Sequence, residues 1–283
     1  MKQIKQKILL IGIFIFVVGF SFLPLTAEAA LIDNIIAYYK LDDVNDAHDS
    51  FNLTNNNSAT FVAGKIGNGV NLVKASSQYL SVANNLGVDG GAITISAWLK
   101  VGTQPASGEI NIVASQFSNP TQTGYDLWYA NNSGTLQVKG NRAKANVADT
   151  GTFFNFTFTA DVWFHFVLTY DGTDIRTYID GVLKDTTAAS GNGTGSTASL
   201  TTIGSYHGGG TNNFDGVVDE VGYWSRALSS AEIEELYNNG NGLQYPFTKG
   251  PANLKSLNSI LKANIKTING ILIADIKKWL NIE

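Results

Sequence analysis

The chain contains no cysteine. Disulfides and thiolate metal centres are excluded, so the fold must rest on burial and hydrogen bonding. Histidine is almost as scarce: His48, His165 and His207 are the only ones, and no two stand at metal-ligand spacing. His165, alternating with Trp163, reads as a hydrogen-bonded structural residue. No G-x-S-x-G elbow or Ser-His-Asp arrangement is visible. Gly64, Gly67 and Gly69 are not followed by Lys-Ser/Thr and lack a strand-then-long-helix setting, so they read as turns and bulges, not a phosphate loop. Net positive charge is confined to the ends. Of the formal charge of −4, residues 1–29 carry +2 and the chain from Lys249 onward carries +4, leaving about −10 between them. An acidic body argues against nucleic acid as a partner and suits solubility or cation binding.

Long apolar runs are also missing, with one exception. Ile8 to Phe20 is broken only by Gly12 and Gly19, is preceded by Lys2, Lys5 and Lys7, and leads through Pro24 to Ala27-Glu28-Ala29. A basic start, an apolar centre and an A-x-A site mark residues 1–29 as an export signal, with cleavage expected after Ala29. The alternative is an uncleaved anchor, because Ile8 to Leu25 is just long enough to span a bilayer. The expected location is secreted, extracellular or at the cell surface.

What is abundant is glycine (29 residues) and aromatic residues (11%), a composition suited to short strands joined by tight turns. Ile93, Ile95, Ala97 and Leu99 alternate with Thr94, Ser96, Trp98 and Lys100, which places the aliphatic set on one face and Trp98 on the other. Asn131 to Gly134 and Asp180-Gly181 are hairpin turns. About a dozen such strands imply a two-sheet antiparallel sandwich. Near the end, Phe214 to Gly240 reads as a strand, a corner and a short helix. Ser229 is the N-cap, Glu232 its capping-box partner, and Leu228 and Ile233 form a hydrophobic staple; Gly240 is placed to end the helix.

That run also carries a resemblance. Gly216, Asp219-Glu220-Val221, Arg226-Ala227-Leu228-Ser229 and Glu232-Ile233 resemble the closing motif of laminin-G-like, concanavalin-A-like jelly-roll domains. Ile36-Tyr39-Leu41-Asp42, Ile93 to Leu99 and Trp163 to Gly181 match in the same order. The resemblance covers roughly residues 31–247 and implies an all-β jelly-roll sandwich of bacterial secreted type, with lectins, adhesins, glycosidases and inert spacers among its members. Relatives that cleave β-glucans carry an E-x-D-x-x-E strand. This chain has Asp215, Asp219 and Glu220, and strict alternation would turn the last two to opposite faces, so no catalytic residue is expected. The family further implies a structural Ca²⁺ beside the first and last strands, with Asp42 and Asp219 as its ligands; the competing reading makes Asp219 a cap for the Arg226-to-Ser229 corner.

Carbohydrate sites stack sugars on exposed rings and bind hydroxyls with amides and carboxylates. Trp98 and Trp128 each alternate with a more apolar set and so are expected to face outward, with Tyr125, Tyr129 and Tyr206 in support. The competing reading places these rings in the core. Beyond the linker Pro246 to Pro251, residues 248–283 repeat at a spacing of eleven: Asn253-Leu254-Lys255, Asn264-Ile265-Lys266, Asp275-Ile276-Lys277. The stripe from Leu254 to Trp279 predicts an amphipathic helical tail that self-associates through residues 253–282, docks, or anchors the protein. Asn269-Gly270 is the one feature that favours a hairpin there. The expected function is a non-catalytic module binding a glycan or another cell-surface ligand. The alternatives are a structural module of a surface or fibre assembly, and a glycoside hydrolase.

Overall fold

A computed structural model describes residues 30–84, 86, 91–118, 123–144, 147–156, 159–189, 200–206 and 212–247, with the backbone of 267–268 and 271–272. In chain order the strands are β1 Ile35–Tyr39, β2 Thr54–Asn56, β3 Thr60–Ala63, β4 Asn68–Leu72, β5 Tyr79–Val82, β6 Ile93–Lys100, β7 Ile110–Ser118 and β8 Thr123–Asn132. They continue with β9 Thr135–Lys144, β10 Val147–Asn155, β11 Trp163–Tyr170, β12 Asp174–Ile179, β13 Val182–Ala188, β14 Leu200–Ile203 and β15 Gly216–Trp224, and one helix follows, α1 Ser230–Tyr237.

Two antiparallel sheets result. The first runs β13-β12-β11-β6-β15-β4-β3, with β1 paired to β15; the second runs β10-β9-β8-β7-β14-β5-β2. One core fills the space between them. Ile93, Ile95, Ala97 and Leu99 meet Leu80, Val113, Leu127, Val138 and Ile203 there, all fully buried or nearly so. Period-two alternation thus does what the sequence requires of it.

The outer face of the first sheet is buried too. Tyr38, Val167, Tyr178 and Trp224 form a second cluster with Leu31, Leu228, Ile233, Leu236 and Phe247. The α1 helix and the segments on either side of the sandwich cover this face. The expected capping box is present: Ser229 Oγ accepts from the Glu232 N–H at 3.3 Å and Glu232 Oε2 accepts from the Ser229 N–H at 2.8 Å. The helix ends at Asn238, in the left-handed conformation at φ 48°, one turn element before the expected Gly240. Asparagine tolerates that conformation better than most residues. The corner itself is held by Glu232, not Asp219: Arg226 reaches both Glu232 oxygens at 2.9 and 2.5 Å. Arg226 also donates to the carbonyls of Ala30 and Asp33, each at 2.8 Å, closing the two chain ends of the sandwich together.

In the tail, Thr267–Ile268 pairs antiparallel with Ile271–Leu272. A helix expected to run continuously through this stretch is therefore corrected to a short ladder. Asn269-Gly270 lies between the two strands in sequence, and such a pair favours the positive φ angles of a hairpin turn. The rest of the expected helix, and the export signal, lie outside the described residues.

Candidate ligand-binding face

Strand β8 points Tyr125, Leu127 and Tyr129 into the core, so Asp126, Trp128 and Ala130 face outward from the second sheet. The Asn131–Gly134 turn fixes the β8–β9 register, with Ser133 and Gly134 both at positive φ. That register sets Lys139 opposite Trp128 and Gln137 opposite Ala130. Strand β10 then sets Phe153 beside Lys139 and Asn155 beside Gln137. A row of accessible groups follows. Trp128 is half-buried and Phe153 is 50% exposed. Their rings meet edge to face with centroids 6.1 Å apart, and Lys139 Nζ lies 5.0 Å from the Trp128 ring and 4.5 Å from the Phe153 ring. Gln137 Nε2 donates to Asn155 Oδ1 at 3.0 Å just below.

The next row is polar and buried. Ser115 donates to Asp126 Oδ1 at 2.8 Å, and Asn141 lies opposite Asp126 with Nδ2 at 3.4 Å from its Oδ2. Gly151 completes this row; a Cβ there would stand 2.3 Å from Lys139 Cε, so glycine gives the lysine stem room to lie across the sheet. Asp185 accepts from the Phe153 N–H at 3.0 Å and holds the edge strand in place. The outer face offers two rings set edge to face, an ammonium and two amides side by side. Such groups can stack on an apolar sugar face and bond its hydroxyls.

Of the five aromatic residues proposed from sequence, the structure brings Trp128 to this face. Trp98 is corrected: it does point away from the core, but α1 covers it, leaving 3% exposed. Its ring stacks against both His165 and Tyr237, at 5.0 and 5.7 Å between centroids, with Lys65 Nζ 4.5 Å away. Tyr125 and Tyr129 are corrected as well, being core residues at 2% and 0% exposure, since they share the inward parity of Leu127. Tyr206 is half-buried in the turn after β14. His165 is buried with Nε2 2.8 Å from Ser96 Oγ, and burial pushes its pKa down to about 3, so it stays neutral. His207 lies outside the described residues.

Asp42 and Asp219 converge on one loop. Asp219 Oδ2 accepts from the N–H groups of Lys65 and Ile66 at 2.7 and 3.0 Å, and Oδ1 accepts from Glu220 at 2.9 Å. Asp42 Oδ1 accepts from the Asn68 N–H at 2.7 Å. Gly64 leaves no room for a side chain, since a Cβ would lie 2.6 Å from Asp219 Oδ2. Ca²⁺ needs six to eight oxygen ligands. Here N–H donors already occupy most of the Asp219 lone pairs, and no group of three or more His, Asp or Glu among the described residues is arranged to hold a metal ion. The pair fits a loop clamp better than a cation cage.

Strict alternation fails at Glu220. Its φ of 49° and the register shift between Asp219 and Gly222 mark a bulge. Asp219, opposite Trp98, and Glu220, beside Tyr38 and Gln244, therefore share the outer face of the first sheet. Burial pushes Asp219 up to about 7 against the pull of its three N–H partners, and pushes Glu220 up to about 8. Both carboxyl groups are sealed, at 0% and 2% exposure, so neither can reach a glycosidic bond.

A family model described as the concanavalin A-like lectin/glucanases superfamily matches residues 74–234. No curated protein matches the sequence. Among solved structures, domain 4 of AbnA, an extracellular GH43 arabinanase from Geobacillus stearothermophilus, in complex with arabinotriose, is 16% identical with a TM-score of 0.54, covering 71% of this chain and 97% of that domain. The binding domain of Paraclostridial Mosquitocidal Protein 1 is 18% identical with a TM-score of 0.61, over 74% of this chain and 52% of that one. The binding domain of botulinum neurotoxin DC in complex with SialylT is 14% identical with a TM-score of 0.59, over 75% and 52%. The chain thus spans nearly all of the arabinanase domain and about half of each toxin domain.

Proposed function

The chain belongs to the concanavalin A-like lectin/glucanase superfamily, and on that premise we propose that it is an exported, non-catalytic module that binds carbohydrate on the outer face of its second sheet. The observation that carries this reading is the cross-strand row of Trp128, Lys139 and Phe153, with Gln137 and Asn155 beside it. Paired strands hold these groups at fixed spacing before any ligand arrives, which lowers the ordering cost of binding. The similar structures with bound arabinotriose and SialylT support glycan as the ligand class. The burial of Asp219 and Glu220 supports binding without turnover. The use of the Asp42–Asp219 pair as a loop clamp supports a fold that stands without Ca²⁺. Export rests on residues 1–29, and protein recovered outside the cell is expected to begin at Ala30.

Isothermal titration of the full chain against a panel of neutral and acidic oligosaccharides tests the binding. A bound glycan is expected to lose about tenfold in affinity in Trp128→Ala and again in Phe153→Ala, with melting temperatures close to wild type. Full affinity in both variants, or hydrolysis of any panel member, contradicts the reading.

A further inference from the structure

One end of the sandwich holds a second concavity, lined by residues other than those of the Trp128 row. It lies where β6 leaves the first sheet, β7 enters the second and β15 begins. Two adjoining cavities meet there, of about 240 and 100 Å³, with Thr103 and Asp215 lining both. Their walls are well anchored. The Gly108 N–H donates to the Asn131 carbonyl at 2.7 Å and the Asn131 N–H to the Glu109 carbonyl at 3.0 Å. Asn131 Nδ2 donates to the Pro105 carbonyl at 2.8 Å, and Asp215 Oδ1 accepts from the Lys74 N–H at 3.1 Å. The Lys74 ammonium pairs with Glu109 across the smaller cavity.

Asn111 lines the smaller cavity and is 4% exposed, yet its Oδ1 has no hydrogen-bond partner. A buried amide oxygen without a donor costs stability unless something completes it. Three carboxylates, Glu109, Asp161 and Asp215, line the same concavity. Lys74 and Lys100 also line it, so the polar lining carries both donors and acceptors with carboxylates in excess of ammonium groups, and Phe214 and Pro105 supply an apolar wall. A metal ion does not fit, because no suitable group of His, Asp or Glu exists among the described residues. What fits is a compact ligand rich in hydroxyl donors with one apolar face.

We propose that this cleft is a second carbohydrate site, one that takes a single sugar residue end-on, with Asn111 Oδ1 accepting from a sugar hydroxyl at its base. The site does not depend on the sheet-face platform, and either can exist without the other. The probes are D-galactose, D-glucose and L-arabinose as free monosaccharides, titrated into the full chain and followed by ligand-observed NMR. At least one is expected to bind wild type, to bind Trp128→Ala equally, and to lose about tenfold in affinity in Asn111→Leu. Thr103→Trp, an exposed loop change that fills the mouth of both cavities, is expected to abolish the same binding, and decides the matter if Asn111→Leu does not fold. Silence of all three sugars on wild type overturns the proposal. So does binding that Thr103→Trp leaves intact or that Trp128→Ala removes. Oligosaccharide binding to the platform in the absence of monosaccharide binding sinks this site while leaving the platform standing.

Discussion

Glu220 stands in a bulge with its carboxyl sealed under Gln244 and Tyr38 and its Oε2 without a hydrogen-bond partner. Together with Asp219 it makes the molecule sensitive to alkali. Between about pH 4.5 and about pH 7 both acids hold protons in the folded state that the unfolded chain has released, so folding takes up protons, and stability falls as pH rises from the ordinary carboxylate range to about 7 and about 8, where the fall ends. Thermal melts between about pH 5 and pH 8.5 are expected to show a melting temperature that declines and then levels off above about pH 8. Glu220→Gln is expected to flatten that decline and to raise the melting temperature at the alkaline end. An equally steep decline in the variant would show that Glu220 is ionised when folded. The sequence names these two acids, but alternation alone turns them apart. The bulge that brings them to one face depends on the tertiary fit of β15 between β6 and β1, and no local residue pattern announces it. Gly222 is part of that fit, because a Cβ there would lie 2.4 Å from Trp224 Cη2.

At the scale of elements, the corner before α1 is the joint on which the covered face depends. Arg226 and Glu232 are largely buried, with side chains 16% and 6% exposed. Removing one partner leaves the other charge without its counter-ion and takes away the capping box or the ties to Ala30 and Asp33. Arg226→Ala is therefore expected to cost about 3 kcal/mol in urea unfolding; a loss below about 1 kcal/mol would reduce the pair to a surface contact. The start of this element was legible beforehand, because capping boxes and staples are local in sequence, whereas its end fell at Asn238 and not at Gly240. The platform was legible only in part. Trp128 and the Asn131–Gly134 turn together set Lys139 and Gln137 on the same face by register. Phe153 was hidden because its place beside Lys139 is set by the β9–β10 register, which no pattern within its own strand announces. Trp98 misled for another reason: alternation gives the face a side chain occupies, not whether another element covers that face.

Across the whole molecule, the two sheets differ in what lies on them. The first is roofed by α1 and the chain ends; the second presents Trp128, Lys139 and Phe153. Function is therefore assigned to the second. The loop clamp at Asp42 and Asp219 predicts that a chelator leaves the melting temperature unchanged; a drop of several degrees on chelation, restored by Ca²⁺, would return those carboxylates to a cation site. The tail carries its +4 charge beyond an acidic body, and its proposed self-association predicts that the full chain sediments as an oligomer while a chain ending at Thr248 sediments as a monomer.

The most direct measurement follows the tryptophan indole N–H signals while an oligosaccharide that binds is titrated into labelled protein. The account predicts that the Trp128 signal moves with the binding curve while that of Trp224, buried and bonded to the Leu31 carbonyl at 2.7 Å, stays fixed. A saturating glycan that leaves Trp128 unmoved would contradict it.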